Sequence, residues 1–187
     1  QLTIEPNTAF SSHPPADLPS HEKLAEISDA GIALLHTHGF KQYEVSAFAT
    51  EGNQCKHNLN YWQFGDYIGI DAGAHGKLTS PDGQLRRRRK LRSPAAYVES
   101  IHSGDGLSSE TLLQDEDLVL EFMMNCLRLN EGVPAEFFAG RTGLSLQAIQ
   151  PRLMHARRSG LLEQEPKIIR ATEMGRTYLN NLLMMFN

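Results

Sequence analysis

Cysteine is scarce in this sequence, with two residues among 187. They are Cys55 and Cys126, and neither belongs to a CxxC pair. That excludes a disulfide framework and the paired spacing of structural zinc. Long apolar runs are missing too, so no segment approaches the ~20 apolar residues of a membrane-spanning helix. Basic charge is not in excess: 18 Lys and Arg stand against 22 Asp and Glu, a formal net charge of −4. A general nucleic-acid binder is not expected from that balance. No Walker loop, GxSxG elbow or HExxH occurs, which removes the chemistries those motifs carry. There is also no initiator Met, basic leader or cleavage site, so a signal peptide is not read here. Residues 2–5 read instead as a strand stopped by Pro6. A domain that begins in mid-strand is expected to have a preceding part.

What is present divides near Gly104. A Ser- and Gly-rich stretch at residues 103–109 reads as a linker between residues 1–104 and 105–187. Seven of the eight histidines precede it. In the first part, Ser20 is expected to cap a helix whose apolar residues include Leu24, Ile27 and Leu35, closed by His36, His38 and Gly39. Residues 43–48 follow as a strand, and strand, helix, strand implies a parallel pair. Residues 67–74 predict a further strand. Residues 79–91, with Pro81-Asp82-Gly83 at their centre, predict a hairpin. Ser93-Pro94 opens a short helix. The second part predicts a helix over 115–129, a short one over 134–141, and a third from Ser145 to Arg158. A small hairpin around 163–167 and a last helix capped by Thr172 complete a winged-helix pattern. Cys126, among Met123, Met124 and Leu127, reads as a core thiol.

The densest chemistry lies in residues 55–62, Cys-Lys-His-Asn-Leu-Asn-Tyr-Trp. On a loop after a strand such a group suits a ligand site, while Tyr61 and Trp62 suit the anchoring of a long loop equally well. Cys55 and His57 with His75 fall short of the four ligands of structural zinc. Covalent haem attachment would need CxxCH, whereas non-covalent haem needs only one or two axial donors. Residues 68–76 carry three glycines, which permit close backbone approach to a ligand or simply close packing. Residues 86–90 with Arg92 place six basic residues in seven positions. Such a run reads as a solvated strand edge, or as a partner for carboxylates such as porphyrin propionates.

Residues 2–8, 43–49, 55–62, 64–69 and 73–76, then Arg92-Ser93-Pro94 and the helical tail, carry a family likeness in order and spacing. The sequence resembles the oxygen-independent coproporphyrinogen III oxidase-like radical S-adenosylmethionine proteins, on their haem chaperone (HemW-type) branch. His57-Asn58-Leu59-Asn60-Tyr61 fits that branch's HNxxY motif. The resemblance implies a cytoplasmic protein that binds haem through His57, Asn58 and Tyr61, with His57 the iron-ligand candidate, and passes it to haem-accepting proteins. It also implies that Gly73 and Ala74 lie near the S-adenosylmethionine pocket. The family's 4Fe–4S cluster needs CxxxCxxC, which this sequence lacks, so no catalytic residue is assigned and the chain alone is expected to be inactive. The implied fold is α/β to α+β: the C-terminal strands and helices of a partial (β/α) barrel over 1–104, then a mostly helical winged-helix-like domain over 105–187. A barrel cut midway would expose edges that favour self-association. The alternative activity is oxidative decarboxylation of coproporphyrinogen III. A third reading, winged-helix binding of nucleic acid through Arg152, Arg157 and Arg158, is opposed by the eight basic against eleven acidic residues of 105–187.

Overall fold

Hydroxyl and amide side chains set most of the helix starts. In the computed structural model, which describes residues 4–104 and 106–187, the Ser20 hydroxyl accepts from the Lys23 amide at 3.2 Å. Ser93 does the same for Ala96, and Thr172 for Gly175. The elements in chain order are α1 (Ala9–Ser12), α2 (His21–Thr37), β1 (Lys41–Glu44), β2 (Ala47–Ala49), α3 (Lys56–Trp62), β3 (His75–Thr79), β4 (Leu85–Lys90) and α4 (Pro94–Ser103). They continue as β5 (Leu107–Leu112), α5 (Asp115–Cys126), β6 (Val133–Pro134), α6 (Glu136–Thr142), α7 (Gln150–Arg158), β7 (Ile168–Ile169), α8 (Glu173–Thr177) and α9 (Leu179–Met184). The fold is mixed α and β, and no closed barrel is formed among the described residues.

Three sheets result among the described residues: β1-β2, β3-β4-β5 and β6-β7. Every paired strand among the described residues is antiparallel, which overturns the expected parallel pair. The strand expected at 2–5 falls partly outside the described residues; Ile4 and Glu5 are not in a strand. The strand expected at 43–48 is a hairpin instead. The Glu44 carboxylate accepts from both the amide and the hydroxyl of Ser46, each at 2.9 Å, and so folds the chain back. Residues 67–74 are not a strand either. Tyr67 pairs with Lys77, after which Asp71 and Gly73 take left-handed φ of 82° and 74° and end the extended path. Ser108 and Ser109, read as linker, lie in β5, with Ser109 opposite Arg89 of β4, and Asp105 is outside the described residues.

The basic run is the largest departure. It forms β4, the central strand of its sheet, so the reading as a solvated edge is wrong. Alternation sends Arg87 to one face, where its guanidinium meets Glu121 of α5, and Arg86 and Arg88 to the other, where both meet Glu110 of β5.

The main core lies among α5, α6, α7 and α9, with Phe122, Phe138, Leu153 and Leu182 at most 1% exposed. Phe122 stands edge-on to Phe64 and to Phe138, with ring centroids at 5.7 and 5.3 Å. Cys126 is buried in this core, which pushes its thiol pKa up. Arg157 is buried as well and donates to the carbonyls of Glu163 and Glu165, clamping the 163–170 turn onto α7. It is therefore not presented to a nucleic acid. By contrast α2 buries none of its residues, and Ile27 and Leu34 stay more than half exposed. No helix among the described residues is long and apolar enough to cross a membrane.

Candidate functional site

Residues 56–62 form α3, a helix rather than the expected loop. Its sequence gives little warning: Cys55 provides no side-chain cap, and the helix is only seven residues long, too short to be stable alone. Tertiary contacts hold it. Leu59 and Trp62 pack against the main core, and Arg128, just past the end of α5, lays its guanidinium over the Trp62 ring at 4.3 Å. Arg128 is fixed in turn by Glu44, 3.1 Å away and almost fully buried. The helix thus sits in a corner made by the β1-β2 hairpin, α5 and the start of the second sheet.

Helical spacing puts His57 and Tyr61 one turn apart on the same face. His57 is exposed, and its ring makes no hydrogen bond among the described residues. Asn58 donates to the Tyr43 hydroxyl at 3.4 Å, tying α3 to β1. Tyr61 is half-buried between Trp62 and Tyr67, with ring centroids at 4.7 and 4.8 Å. Below it, Arg87 donates to the Tyr67 oxygen at 2.5 Å and to Glu121 at 3.0 Å. Burial, and then the Tyr61 hydroxyl, push the Tyr67 phenol up to about 12 against the pull of Arg87.

After α3 the chain turns sharply. Phe64 takes a left-handed φ of 60°, and Gly65 passes so close to Asn60 that a Cβ there would lie 2.1 Å from the Asn60 side-chain oxygen. Asn60 in turn donates to the Asp66 carbonyl at 2.9 Å. Gly65→Ala is therefore expected to cost about 1–3 kcal/mol, read as a lowered denaturant midpoint with an unchanged m-value.

The other residues expected at a site lie apart from this face. Gly73 donates its amide to the Leu91 carbonyl at 2.7 Å, and Ala74 accepts from the Lys90 amide. Ala74 helps to line a cavity of about 70 Å³ with Ile68, Gly69, Gly76, Leu78, Arg88 and Lys90, whereas Gly73 does not. That volume is well under the ~300 Å³ at which ligand pockets begin, so these residues make one wall at most. No group of three or more His, Cys, Asp or Glu among the described residues could hold a metal ion. Sequence reasoning did not single out Tyr67 or Glu121 and named Arg87 only as part of the basic run, because only the fold brings β4 and α5 to Tyr67.

Comparison with known proteins bears on this arrangement. The family model for the HemN C-terminal domain matches residues 113–178. Over the whole chain the sequence is 46% identical to the heme chaperone HemW of Escherichia coli and 44% identical to that of Haemophilus influenzae. It covers 48% and 47% of them, so the chain spans about half the length of the curated relatives it matches. The solved structure of the E. coli coproporphyrinogen III oxidase HemN, described as a radical SAM enzyme, superposes with a TM-score of 0.65 over 91% of this chain and 42% of that one. At 18% identity that likeness concerns the fold.

Proposed function

We propose, from the match of residues 113–178 to the HemN C-terminal domain and the similarity of the whole chain to the heme chaperones HemW, that the protein containing this chain binds haem on α3 for delivery to haem-requiring proteins. The observation that carries the proposal is the exposed His57 imidazole, engaged by no described neighbour, one turn before Tyr61. A neutral imidazole with a free nitrogen is a suitable axial donor for haem iron. Asn58, held by Tyr43, fixes how that face is presented, and Tyr61 stands one helical turn further along it. Because His57 stands on an open face, haem bound there would keep one side accessible, which suits a cargo that must be handed on.

The remaining assignments follow from the same reading. Gly73 and Ala74 would form one wall of the S-adenosylmethionine pocket, whose cluster-binding motif is not in this chain. Residues 1–104 would be the last strands and helices of the family's partial barrel. Residues 105–187 would be a winged-helix-like domain used for docking.

Haem titration into the full-length protein tests the site. His57→Ala is expected to shift the Soret band and weaken binding about tenfold or more. Unchanged affinity with an unchanged band would remove His57 from the role. Decarboxylation of coproporphyrinogen III by the full-length protein, given reductant and S-adenosylmethionine, would favour the oxidase instead.

A further inference from the structure

A cavity of about 330 Å³ lies between the β3-β4 hairpin and the end of α6, and no residue of α3 lines it. Phe64 and Leu85, each at most 2% exposed, give it an apolar floor. Asp66 lines it from the sheet side and Arg141 from the helix. The Asp66 carboxylate is fixed: Lys77 and the Thr79 hydroxyl donate to Oδ1 at 3.0 Å each, and the Thr79 amide donates to Oδ2 at 2.8 Å. Oδ2 thus keeps room for a second donor, and the side chain is 40% exposed. Arg141 makes no hydrogen bond or ion pair among the described residues. Its guanidinium lies over the Phe137 ring, 5.6 Å from the centroid. Stacking occupies the face of a guanidinium and leaves its in-plane donors open. Opposite charges therefore line one cavity without meeting.

The wall of the cavity carries a second sign. Gly140 lines it from within α6, although glycine is a poor residue for a helix interior. Neither backbone nor packing asks for it, since its φ is not left-handed and an added Cβ would meet nothing within 4 Å. What it leaves is room. We propose that this cavity binds a small apolar α-amino acid, with its carboxylate on Arg141, its ammonium on Asp66 and its side chain against Phe64 and Leu85. The volume falls at the lower end of the range for ligand sites, about 300–1,000 Å³. A guanidinium fork matches a carboxylate bidentately, and both contacts are of the stronger, charge-assisted class. A ligand with only an acid group would meet Arg141 but leave Asp66 facing its anion. One with only an amine would leave Arg141 unanswered. Burial first, and then the Arg87 and Arg141 guanidiniums, lower the Lys77 pKa, which agrees with an Arg141 that has no anion of its own. The site is independent of the haem reading.

The test titrates three probes of one alkyl skeleton into the full-length protein by calorimetry: L-leucine, 4-methylpentanoate, which lacks the amine, and 3-methylbutylamine, which lacks the acid. L-leucine is expected to bind about tenfold or more tightly than either of the others. Arg141→Gln keeps a neutral side chain of similar reach, and is expected to weaken L-leucine about tenfold while leaving the amine within about twofold. Asp66 is not substituted here, because its loss unbalances Lys77; the comparison of L-leucine with 4-methylpentanoate reports on it instead. Gly140→Leu fills the open wall and is expected to abolish binding without lowering the melting temperature. Equal affinity for L-leucine and 4-methylpentanoate, no effect of Arg141→Gln, binding that survives Gly140→Leu, or no saturable binding of L-leucine up to about 10 mM would each overturn the proposal.

Discussion

Asp66→Ala is expected to destabilise the protein by about 3–5 kcal/mol, because it leaves a buried charge without its partner. Lys77 is 2% exposed, and its ammonium lies 3.0 Å from Asp66 and 4.2 Å from the Phe64 ring centroid. Asp66 also accepts from the Thr79 amide and hydroxyl at 2.8 and 3.0 Å. Burial alone would raise the Asp66 carboxyl, but the Thr79 amide and the Lys77 ammonium hold it below its ordinary value. For Lys77 burial wins, and its pKa is lowered despite Asp66. The signs then follow from proton linkage. Asp66 contributes stability that is complete above the ordinary carboxylate range and lost as pH falls through its lowered folded pKa. Lys77 binds its proton less readily when folded, so stability rises with pH from its lowered folded pKa up to the ordinary lysine value. In Asp66→Ala the lysine loses the carboxylate that supports its charge. The variant's deficit should therefore be largest near neutral pH and shrink as the buffer becomes alkaline. Chemical denaturation at several pH values checks this; a deficit independent of pH would mean that the pair is not the cause. Lys77→Met in the Asp66→Ala background should recover much of the loss.

Phe122→Ala is expected to cost about 3–5 kcal/mol as well, here by opening a cavity. Phe122 is fully buried between the edges of Phe64 and Phe138, and so joins α5 both to the segment after α3 and to α6. Phe64 carries the Lys77 ammonium on its face. The two substitutions therefore share a neighbour, and their combined effect should depart from the sum of the singles by 0.5 kcal/mol or more. A thermal or denaturant double-mutant cycle gives that coupling directly. Strict additivity would show that the aromatic stack and the buried ion pair respond independently.

How much of this was legible in the sequence depends on how local the signal is. The α2 helix was readable because Ser20 caps it and Gly39 ends it at a φ of 79°. The β3–β4 hairpin was readable because Pro81-Asp82-Gly83 needs a left-handed third position, which Gly83 supplies at 82°. The strand at 43–48 was misread because nothing local says that Glu44 will fold its carboxylate onto Ser46 while pairing with Arg128, 84 positions away. The α3 helix was missed because its stability comes from Trp62 under Arg128 and from Leu59 in the core, not from propensity. At the site, His57, Asn58 and Tyr61 stood out by residue type, and the helix gives His57 and Tyr61 a common face. The packing of Tyr61 on Tyr67, and of Tyr67 on Arg87 and Glu121, joins segments far apart in the chain and left no spacing to find.

By itself the sequence determined the caps, the tight turns, the apolar face of α5 and the concentration of ligand-type side chains in residues 55–62. These are set by interactions within a few residues, where chain connectivity already places the partners. Only the tertiary structure decided that six basic residues in seven positions would open with a central strand. Alternation offers two faces to any such strand, but it does not say what each face will meet. Here Glu110 and Glu121 meet the arginines on opposite sides, so a run that looked like a solvated edge became the support beneath α3.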